Sequence, residues 1–114
     1  MKQDVYKLSL LFDYYGELLT EKQQTCFDLY YNQDLSLSEI AEEAGISRQG
    51  VHDTLARAEA LLLEFEAKTG CVQRDLRARE AADEIIDAAS RLSSIAIAKP
   101  LCDKILSAAN RIKE

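Results

Sequence analysis

The sequence predicts an all-α protein built around a helix-turn-helix, and three observations on its 114 residues support this. Apolar residues recur every three or four positions along most of the chain, which is the spacing of one face of an α-helix. One proline and four glycines leave few breaks in that spacing and little turn chemistry for β-hairpins. Capping signals and a central glycine divide residues 36–57 into two helices joined by a tight turn.

Two helices are predicted before this motif. The first has an apolar stripe that ends near Gly16 and consists of Val5, Leu8, Leu11, Phe12 and Tyr15. Thr20 and Gln23 have the spacing of a capping box, so they predict the start of a second helix. The apolar side of that helix is predicted to be Cys26, Phe27, Leu29 and Tyr30. A polar linker follows at residues 32–34.

The first helix of the motif has both of its ends marked. Ser36 and Glu39 stand in the S-x-x-E relation of a capping box, which predicts a helix beginning at Leu37. Gly45 is expected to close this helix, because glycine adopts a left-handed φ without steric cost. The helix is predicted to bury one narrow face, formed by Ile40, Ala41 and Ala44.

The second helix of the motif is predicted to begin after Ser47, whose hydroxyl suits an N-cap. Ile46 is expected to fill the core behind the turn, while Val51 and Leu55 bury the inner side of the helix. The apolar spacing then continues past the motif through Leu55, Ala58, Leu62 and Phe65. The second helix should therefore extend well beyond the motif.

Residues 71–114 are predicted to form a C-terminal helical segment of two helices, acting as a packing or dimerisation element. Gly70 either ends the preceding helix or only interrupts it, since Val72 and Leu76 would continue the same stripe. The first C-terminal helix has a predicted apolar face of Ile85, Ala89, Leu92 and Ala96. Pro100 suits the first position of the last helix, whose apolar residues are Leu101, Ile105, Leu106, Ala109 and Ile112.

The outward side of the second motif helix carries the candidate DNA contacts. In a helix-turn-helix, the first residues of this helix reach base edges in the major groove. The candidate DNA-binding residues are Ser47, Arg48, Gln49, Gly50, His52, Asp53 and Arg57. Lys22 is a further candidate, for a phosphate contact. The alternative is an ordinary helical hairpin, because capping boxes and Ala-x-x-x-Gly spacings are widespread.

The charge of the chain opposes tight DNA binding by a single copy. Residues 1–70, the predicted helix-turn-helix domain, hold six basic and thirteen acidic side chains, a net charge of −7. Tight DNA binders commonly make about six to ten phosphate contacts. Residues 20–70 offer four cations, namely Lys22, Arg48, Arg57 and Lys68. The sequence therefore predicts weak DNA binding by a monomer, which a homodimer would strengthen.

A homodimer is also predicted from a run of apolar residues on the second motif helix. This run holds more hydrophobic surface than one side of a single helix needs, so part of it should face another helix of the same or a second chain. Its members are Leu61, Leu62, Leu63 and Phe65.

Several other classes of protein are disfavoured. A single histidine and the lack of a glycine-rich phosphate loop leave no nucleophile with an identifiable base, so we expect neither an enzyme nor a cofactor. Cys26, Cys71 and Cys102 are odd in number and far apart, so we expect buried small hydrophobes rather than disulfides or metal ligands. No apolar run has membrane-spanning length and no signal-peptide pattern is present, so a cytoplasmic protein is expected.

Two adjacent pairs of tyrosines have two possible roles. They could form a platform on which nucleic-acid bases stack, but they lack interleaved lysines or arginines. Their helical spacing favours core packing instead. The four residues are Tyr14, Tyr15, Tyr30 and Tyr31.

Several segments of the chain resemble region four of bacterial sigma factors. These are Leu-Thr-Glu-Lys-Gln-Gln at residues 19–24, Leu-Tyr-Tyr at 29–31, Ser-Leu-Ser-Glu-Ile-Ala-Glu-Glu at 36–43 and Gly-Ile-Ser-Arg-Gln-Gly-Val at 45–51. Together with Leu-Phe-Asp-Tyr-Tyr at 11–15, they resemble more closely the YlxM family of helix-turn-helix proteins. In many Gram-positive bacteria the gene of that family lies beside those for the signal recognition particle. The match covers about residues 8–68.

The resemblance implies a sigma region four-like helix-turn-helix bundle with extended C-terminal helices. It also implies a DNA-binding regulatory protein linked to the signal recognition particle pathway. Ser47, Arg48 and Gln49 match the positions at which a sigma recognition helix meets DNA. The chain departs from the pattern where sigma factors often carry Arg or Gln, at Gly50, His52 and Asp53.

A second function stays open. The net charge of −7 on residues 1–70 favours attraction to basic partners. In this alternative the protein is an acidic adaptor that docks on components of the signal recognition particle machinery and does not bind DNA.

Overall fold

The computed structural model describes residues 4–114, which form six α-helices joined by short turns. Helices α1 to α6 are Val5–Tyr15, Glu21–Phe27, Leu37–Ala44, Arg48–Thr69, Cys71–Leu92 and Lys99–Lys113. Short 3₁₀ turns lie at Gly16–Leu18 and Ala96–Ala98, and no strand occurs within the described range. The all-α prediction is therefore confirmed.

The chain divides into two compact units. We call Met1–Gly70 the motif unit, because it contains the helix-turn-helix, and Cys71–Glu114 the C-terminal hairpin, because it contains α5 and α6. Gly70 has a left-handed φ of 63°, and its backbone N–H donates to the carbonyl of Glu66. Gly70 therefore ends α4 rather than interrupting it.

The core of the motif unit is built from large side chains of four helices. Phe27 is fully buried between the rings of Phe12 and Tyr31, each with its centroid 4.4 Å away. Buried aliphatic side chains and small residues complete the core: Leu8, Leu11, Leu19, Cys26, Leu29, Ile40, Val51, Leu55, Ala58 and Leu62. Since burying one large apolar side chain contributes about 1.5–3 kcal/mol, this cluster is the main stabilising element of the unit. Val5 lies outside it, exposed in the first turn of α1, so its predicted place in the stripe is wrong.

A π-helical turn at Asp28–Asn32 continues α2, and the sequence periodicity did not predict it. The backbone N–H of Gln33 donates to the carbonyl of Asp28, five residues earlier, at 3.1 Å. Tyr31 follows Phe27 into the core at a spacing of four residues, and its ring stacks on that of Phe27. The predicted inward position belongs to Tyr31, which is buried, and not to Tyr30, which is half-buried.

Two tyrosine hydroxyls of this core bind carboxylates on α4. The hydroxyl of Tyr15 donates to Glu66, and that of Tyr31 donates to Glu59. Both tyrosines are buried, as predicted, and these bonds satisfy their polar ends. Tyr14 lies on the exposed side of α1, so the core prediction is wrong for that residue.

The apolar run on α4 is mostly used inside the motif unit. Leu62 is fully buried, and Leu61 and Phe65 are half-buried. The ring of Phe65 contacts that of Tyr15 at a centroid distance of 6.0 Å. Leu63 is the member of the run that stays exposed. Part of the run therefore packs against other helices of the same chain, which is one of the two predicted alternatives.

The C-terminal hairpin is closed along a seam of small and medium-sized side chains. These are Val72, Ala82, Ala89, Cys102 and Ala109. Small residues let two helices approach closely, and the large aliphatic residues lie to the side of the seam. Ile85 and Leu92 of α5 share one face, as predicted, and that face is exposed, whereas Ala89 lies in the seam and Ala96 lies in the 3₁₀ turn after α5. On α6, Ala109 lies in the seam, while Leu101, Ile105 and Ile112 are exposed.

The three cysteines are free, but only two are buried. Cys26 lies in the core of the motif unit, where burial raises the pKa of its thiol. Cys102 lies in the seam of the hairpin. Cys71 is exposed at the start of α5, so the prediction of a buried residue there is wrong.

Candidate nucleic-acid interface

Helix α3 begins at Leu37, as predicted, because a complete capping box precedes it. The backbone N–H of Glu39 donates to Ser36 Oγ at 3.1 Å, and the backbone N–H of Ser36 donates to Glu39 Oε1 at 3.0 Å. The hydrogen bond from the Ser36 backbone holds the pKa of the Glu39 carboxyl below its usual value. The start of the motif is thus determined locally by two side chains.

The turn between α3 and α4 also has the predicted geometry. Gly45 has a left-handed φ of 69°, and the backbone N–H of Ile46 donates to the carbonyl of Ala41 at 3.1 Å. Ser47 then caps α4, since its hydroxyl accepts the backbone N–H of Gly50 at 2.9 Å. A Cβ atom at Gly45 would meet nothing within 4 Å, so glycine is needed there for its conformation and not for space.

The inner sides of α3 and α4 hold the two helices in the core. Ile40 and Val51 are fully buried, and Leu55 is nearly so. Ala41 is half-buried, whereas Ala44 is exposed, so its predicted burial is wrong. The physical reason is that Ala44 is the last residue of a short helix, beyond which the left-handed glycine redirects the chain.

The predicted contact residues on α4 lie on the side opposite this core. Those that are exposed are Ser47, Arg48, Gln49, His52, Asp53 and Arg57, while Gly50 is half-buried. At 100° per residue, Gln49, Asp53 and Arg57 form one row along the helix, and Arg48 and His52 form the neighbouring row. A Cβ atom at Gly50 would lie 3.1 Å from Ser47 Oγ, so a larger residue there would crowd the cap.

A shallow cleft at the start of α4 brings several of these residues together. It is lined by Leu37 of α3 and by Arg48, Gln49 and His52 of α4. Sequence reasoning did not include Leu37, although its place as the first residue of α3 could have suggested it. Lys22 lines a different depression, beside Cys26 and Ala44, so the structure does not bring Lys22 into this cleft.

The electrostatic character of the interface is mixed. Asp53 Oδ1 accepts a hydrogen bond from Gln49 Nε2 at 2.9 Å, and His52 Nδ1 lies 3.5 Å from the same oxygen. The i,i+4 spacing of Gln49 and Asp53 could have predicted this bond. Glu42 and Glu43 add exposed negative charge on α3. The exposed surfaces of α3 and α4 therefore carry acidic groups as well as the Arg48 cation.

Two further classes of site are absent from the described range. Within residues 4–114, no group of three or more His, Cys, Asp or Glu side chains could hold a metal ion. No helix of that range has the length and apolar character needed to cross a membrane.

The chain is similar to proteins that carry the same motif. A sequence model for UPF0122, described as "Putative helix-turn-helix protein, YlxM / p13 like", matches residues 2–99. A UPF0122 protein of Desulforamulus reducens is 48% identical over 85 residues, which cover 75% of this chain and 73% of that protein. One from Symbiobacterium thermophilum is 46% identical over 89 residues, covering 78% and 83%. One from Clostridium kluyveri is 48% identical over 99 residues, covering 87% and 88%. The chain therefore belongs to the UPF0122 family of YlxM/p13-like helix-turn-helix proteins.

Proposed function

We propose that this protein is a DNA-binding regulatory protein that acts as a homodimer and contacts DNA through the first turns of α4. The observation that carries the proposal is the exposed position of Arg48 and Gln49 at the capped start of that helix. In a helix-turn-helix these positions enter the major groove, where Arg pairs with guanine and Gln with adenine. Membership of a helix-turn-helix family supports the same function.

The backbone at the start of α4 supports a phosphate contact next to Arg48. A helix N-terminus carries a partial positive charge, which favours an anion. Arg57 lies further along the outward row and Lys22 lies on α2, so both are available to neighbouring phosphates. Two copies would double these contacts and read two half-sites.

A role in the signal recognition particle pathway is the finer part of the proposal. It rests on the resemblance to the YlxM family, whose gene lies beside those for the particle in many Gram-positive bacteria. The regulated step would then be the production or the activity of that machinery. This pathway and the DNA-binding activity can be tested separately.

The decisive experiment measures the binding of a fluorescent random-sequence duplex pool across a series of salt concentrations. Arg48→Ala should weaken binding to the sequences that the wild type selects from this pool by about 5- to 150-fold, which corresponds to about 1–3 kcal/mol for a base-contacting arginine. The matched control is Lys68→Ala, which also removes an exposed cation from α4 but lies at the far end of the helix, where it pairs with Glu64 at 2.8 Å. Equal losses in both variants, or no binding by the wild type at low salt, would disprove the proposal.

The acidic adaptor is a second candidate, and the exposed carboxylates of α3 favour it. Replacing Glu42 and Glu43 by lysine gives the two functions opposite outcomes. If the protein binds DNA, the double variant should bind it more tightly, because two repulsive charges become attractive. If the protein is an adaptor, the double variant should lose its capture of a basic signal recognition particle component from cytosol.

A further inference from the structure

The α5–α6 hairpin has one apolar side and one polar side. The two helices are antiparallel, because a short connection joins the end of α5 to the start of α6 and Arg79, in the first half of α5, donates to the Lys113 carbonyl at the end of α6, at 2.9 Å. On each helix, a stripe of apolar residues lies about a quarter turn away from the buried seam, at 100° per residue. Since the helices run in opposite directions, the two stripes point to the same side of the hairpin.

We call this side the apolar face. Its residues are Ala78, Ala81, Ile85, Ala88 and Leu92 of α5, and Leu101, Ile105, Ala108 and Ile112 of α6. All are exposed, with Leu101 at 65%, Ile112 at 54% and Leu92 at 48%. The opposite side of the hairpin is mostly polar and includes Glu80, Asp87, Lys99, Asp103 and Asn110.

Such a pattern differs from the scattered exposed apolar residues of ordinary surfaces. Most of the large exposed residues of the two helices lie on this side, with Leu76 on the other side of α5 and Ile95 and Ile97 in the connection between the helices. Two packed helices offer a single seam in which to bury them. Contiguous apolar patches with polar rims mark surfaces that bind another molecule. In helical proteins the usual way to cover such a face is a further layer of helices.

We infer that the apolar face binds the apolar face of a second copy of this chain, so that two hairpins form a symmetric four-helix bundle. This rests on the homodimer of the proposed function and assigns its surface to α5 and α6. The exposed run on α4 offers mainly Leu63, so α4 has much less apolar surface for the purpose.

The side chains of the apolar face fit a second copy of themselves. Three of the five residues of the α5 stripe are alanines, at Ala78, Ala81 and Ala88, whereas three of the four residues of the α6 stripe are large. A two-fold axis that places α6 of one chain on α5 of the other sets large side chains against small ones at both halves of the contact. This is the alternation that lets helical layers interdigitate.

Charge and area also favour a second copy. Residues 71–114 hold eight basic and seven acidic side chains, a net charge of +1, so two hairpins repel each other little. Two helices side by side, each about 10 Å wide and about 22 Å long over the length of α6, present a face of about 440 Å² in plan. This is about half of the roughly 800 Å² per partner of a standard interface, before the corrugation of the side chains is included.

The test is the mass of the full chain in solution, measured by light scattering during gel filtration and by sedimentation equilibrium without DNA. The wild type should have the mass of two chains. Leu101→Glu should raise the dissociation constant about tenfold or more, because it places a charge in the apolar contact. Leu92→Glu should do the same from α5. Both residues are exposed in the single chain, so circular dichroism should show unchanged helix content.

The matched control is Asn110→Glu, which adds the same charge to an exposed position on the polar side of α6 and should leave the mass of two chains unchanged. A single-chain mass for the wild type at millimolar concentration would overturn the inference. So would dissociation by Leu63→Glu but not by Leu101→Glu, because the contact would then lie on the motif unit.

The outcome is separable from that of the proposed function. A dimer that Leu101→Glu dissociates but that binds no DNA supports the apolar face and disproves DNA binding. A single-chain species that binds DNA through Arg48 supports DNA binding and disproves the contact between two apolar faces. If both hold, Leu101→Glu should also lower the salt dependence of DNA binding, because one chain supplies about half of the phosphate contacts.

Discussion

The motif unit and the C-terminal hairpin bury different kinds of side chain. The motif unit encloses three stacked aromatic rings, Phe12, Phe27 and Tyr31, together with long aliphatic residues from four helices. The hairpin encloses alanines, one valine and one cysteine, and leaves most of its isoleucines and leucines outside. The first unit has a core of its own, whereas the second has only a seam.

This difference shows that composition alone does not determine which large apolar residues are buried. Each helix of the motif unit meets others on more than one side, so an amphipathic stripe can be fully covered. A pair of helices shares one line of contact, and close approach along that line favours small residues. The apolar face of the hairpin is therefore exposed because the unit has only one layer of helices, and no second layer within the unit covers it.

The largest expected effect comes from breaking the aromatic core. Phe27→Ala should cost about 3–5 kcal/mol of unfolding free energy, because it leaves a cavity between Phe12 and Tyr31. All five tyrosines lie in residues 1–70 and the chain has no tryptophan, so tyrosine fluorescence in urea reports the motif unit alone. The control, Leu76→Ala on α5, removes a side chain that is 43% exposed and should shift this signal by less than about 1 kcal/mol. Similar shifts from both variants would contradict the contrast between the units.

A smaller effect is expected at the turn of the motif. Gly45→Ala should destabilise the motif unit by about 1–2 kcal/mol, because its φ of 69° is strained for a residue with a Cβ atom. Gly45→Asn should cost less than alanine, since asparagine tolerates the left-handed region better. Urea unfolding followed by tyrosine fluorescence measures both. Equal stability of the wild type and the alanine variant would show that the turn is not conformationally demanding.

The smallest effect is a pH dependence confined to the motif unit. The pKa of Glu39 is lowered in the folded chain by its hydrogen bonds to Ser36. Its contribution should therefore be complete above the unfolded pKa of about 4.3 and be lost as the pH falls through the folded pKa. Glu39→Gln keeps a capping side chain without the charge, so the pH dependence below about pH 5 should become shallower.

Unfolding midpoints measured by tyrosine fluorescence at several acidic pH values would reveal the change. Glu64, whose pKa is also lowered, by its hydrogen bond and ion pair with Lys68, remains in the variant. Some acid sensitivity should therefore persist. An identical pH profile in wild type and variant would contradict the role of the Glu39 charge.

The ends of the motif helices could be predicted from the sequence because their causes are local. Ser36, Gly45 and Ser47 act on backbone groups within a few residues of themselves, and the structure places each of them as expected. The exposed position of Arg48 and Gln49 follows from the same periodicity that buries Val51 and Leu55. The composition of the candidate site was therefore accessible without coordinates, except for Leu37.

Other features could not be predicted because their causes are distant in sequence. The choice of Tyr31 rather than Tyr30 for the core is accompanied by stacking on Phe27 and by a hydrogen bond to Glu59 of α4, 28 residues away in sequence. The burial of Leu61 and Phe65 depends on the neighbouring helices of the motif unit.

The sequence alone predicts a helical chain and the places where most of its helices begin and end. It also predicts a capped helix-turn-helix that presents Arg48 outward. These properties arise from hydrogen bonds and φ preferences that act over three to five residues. Which of several apolar faces is covered by other helices depends on the tertiary structure. Periodicity shows that a helix has an apolar stripe, but the number and direction of its neighbours determine whether that stripe becomes a core, as on α4, or stays exposed, as on α5 and α6.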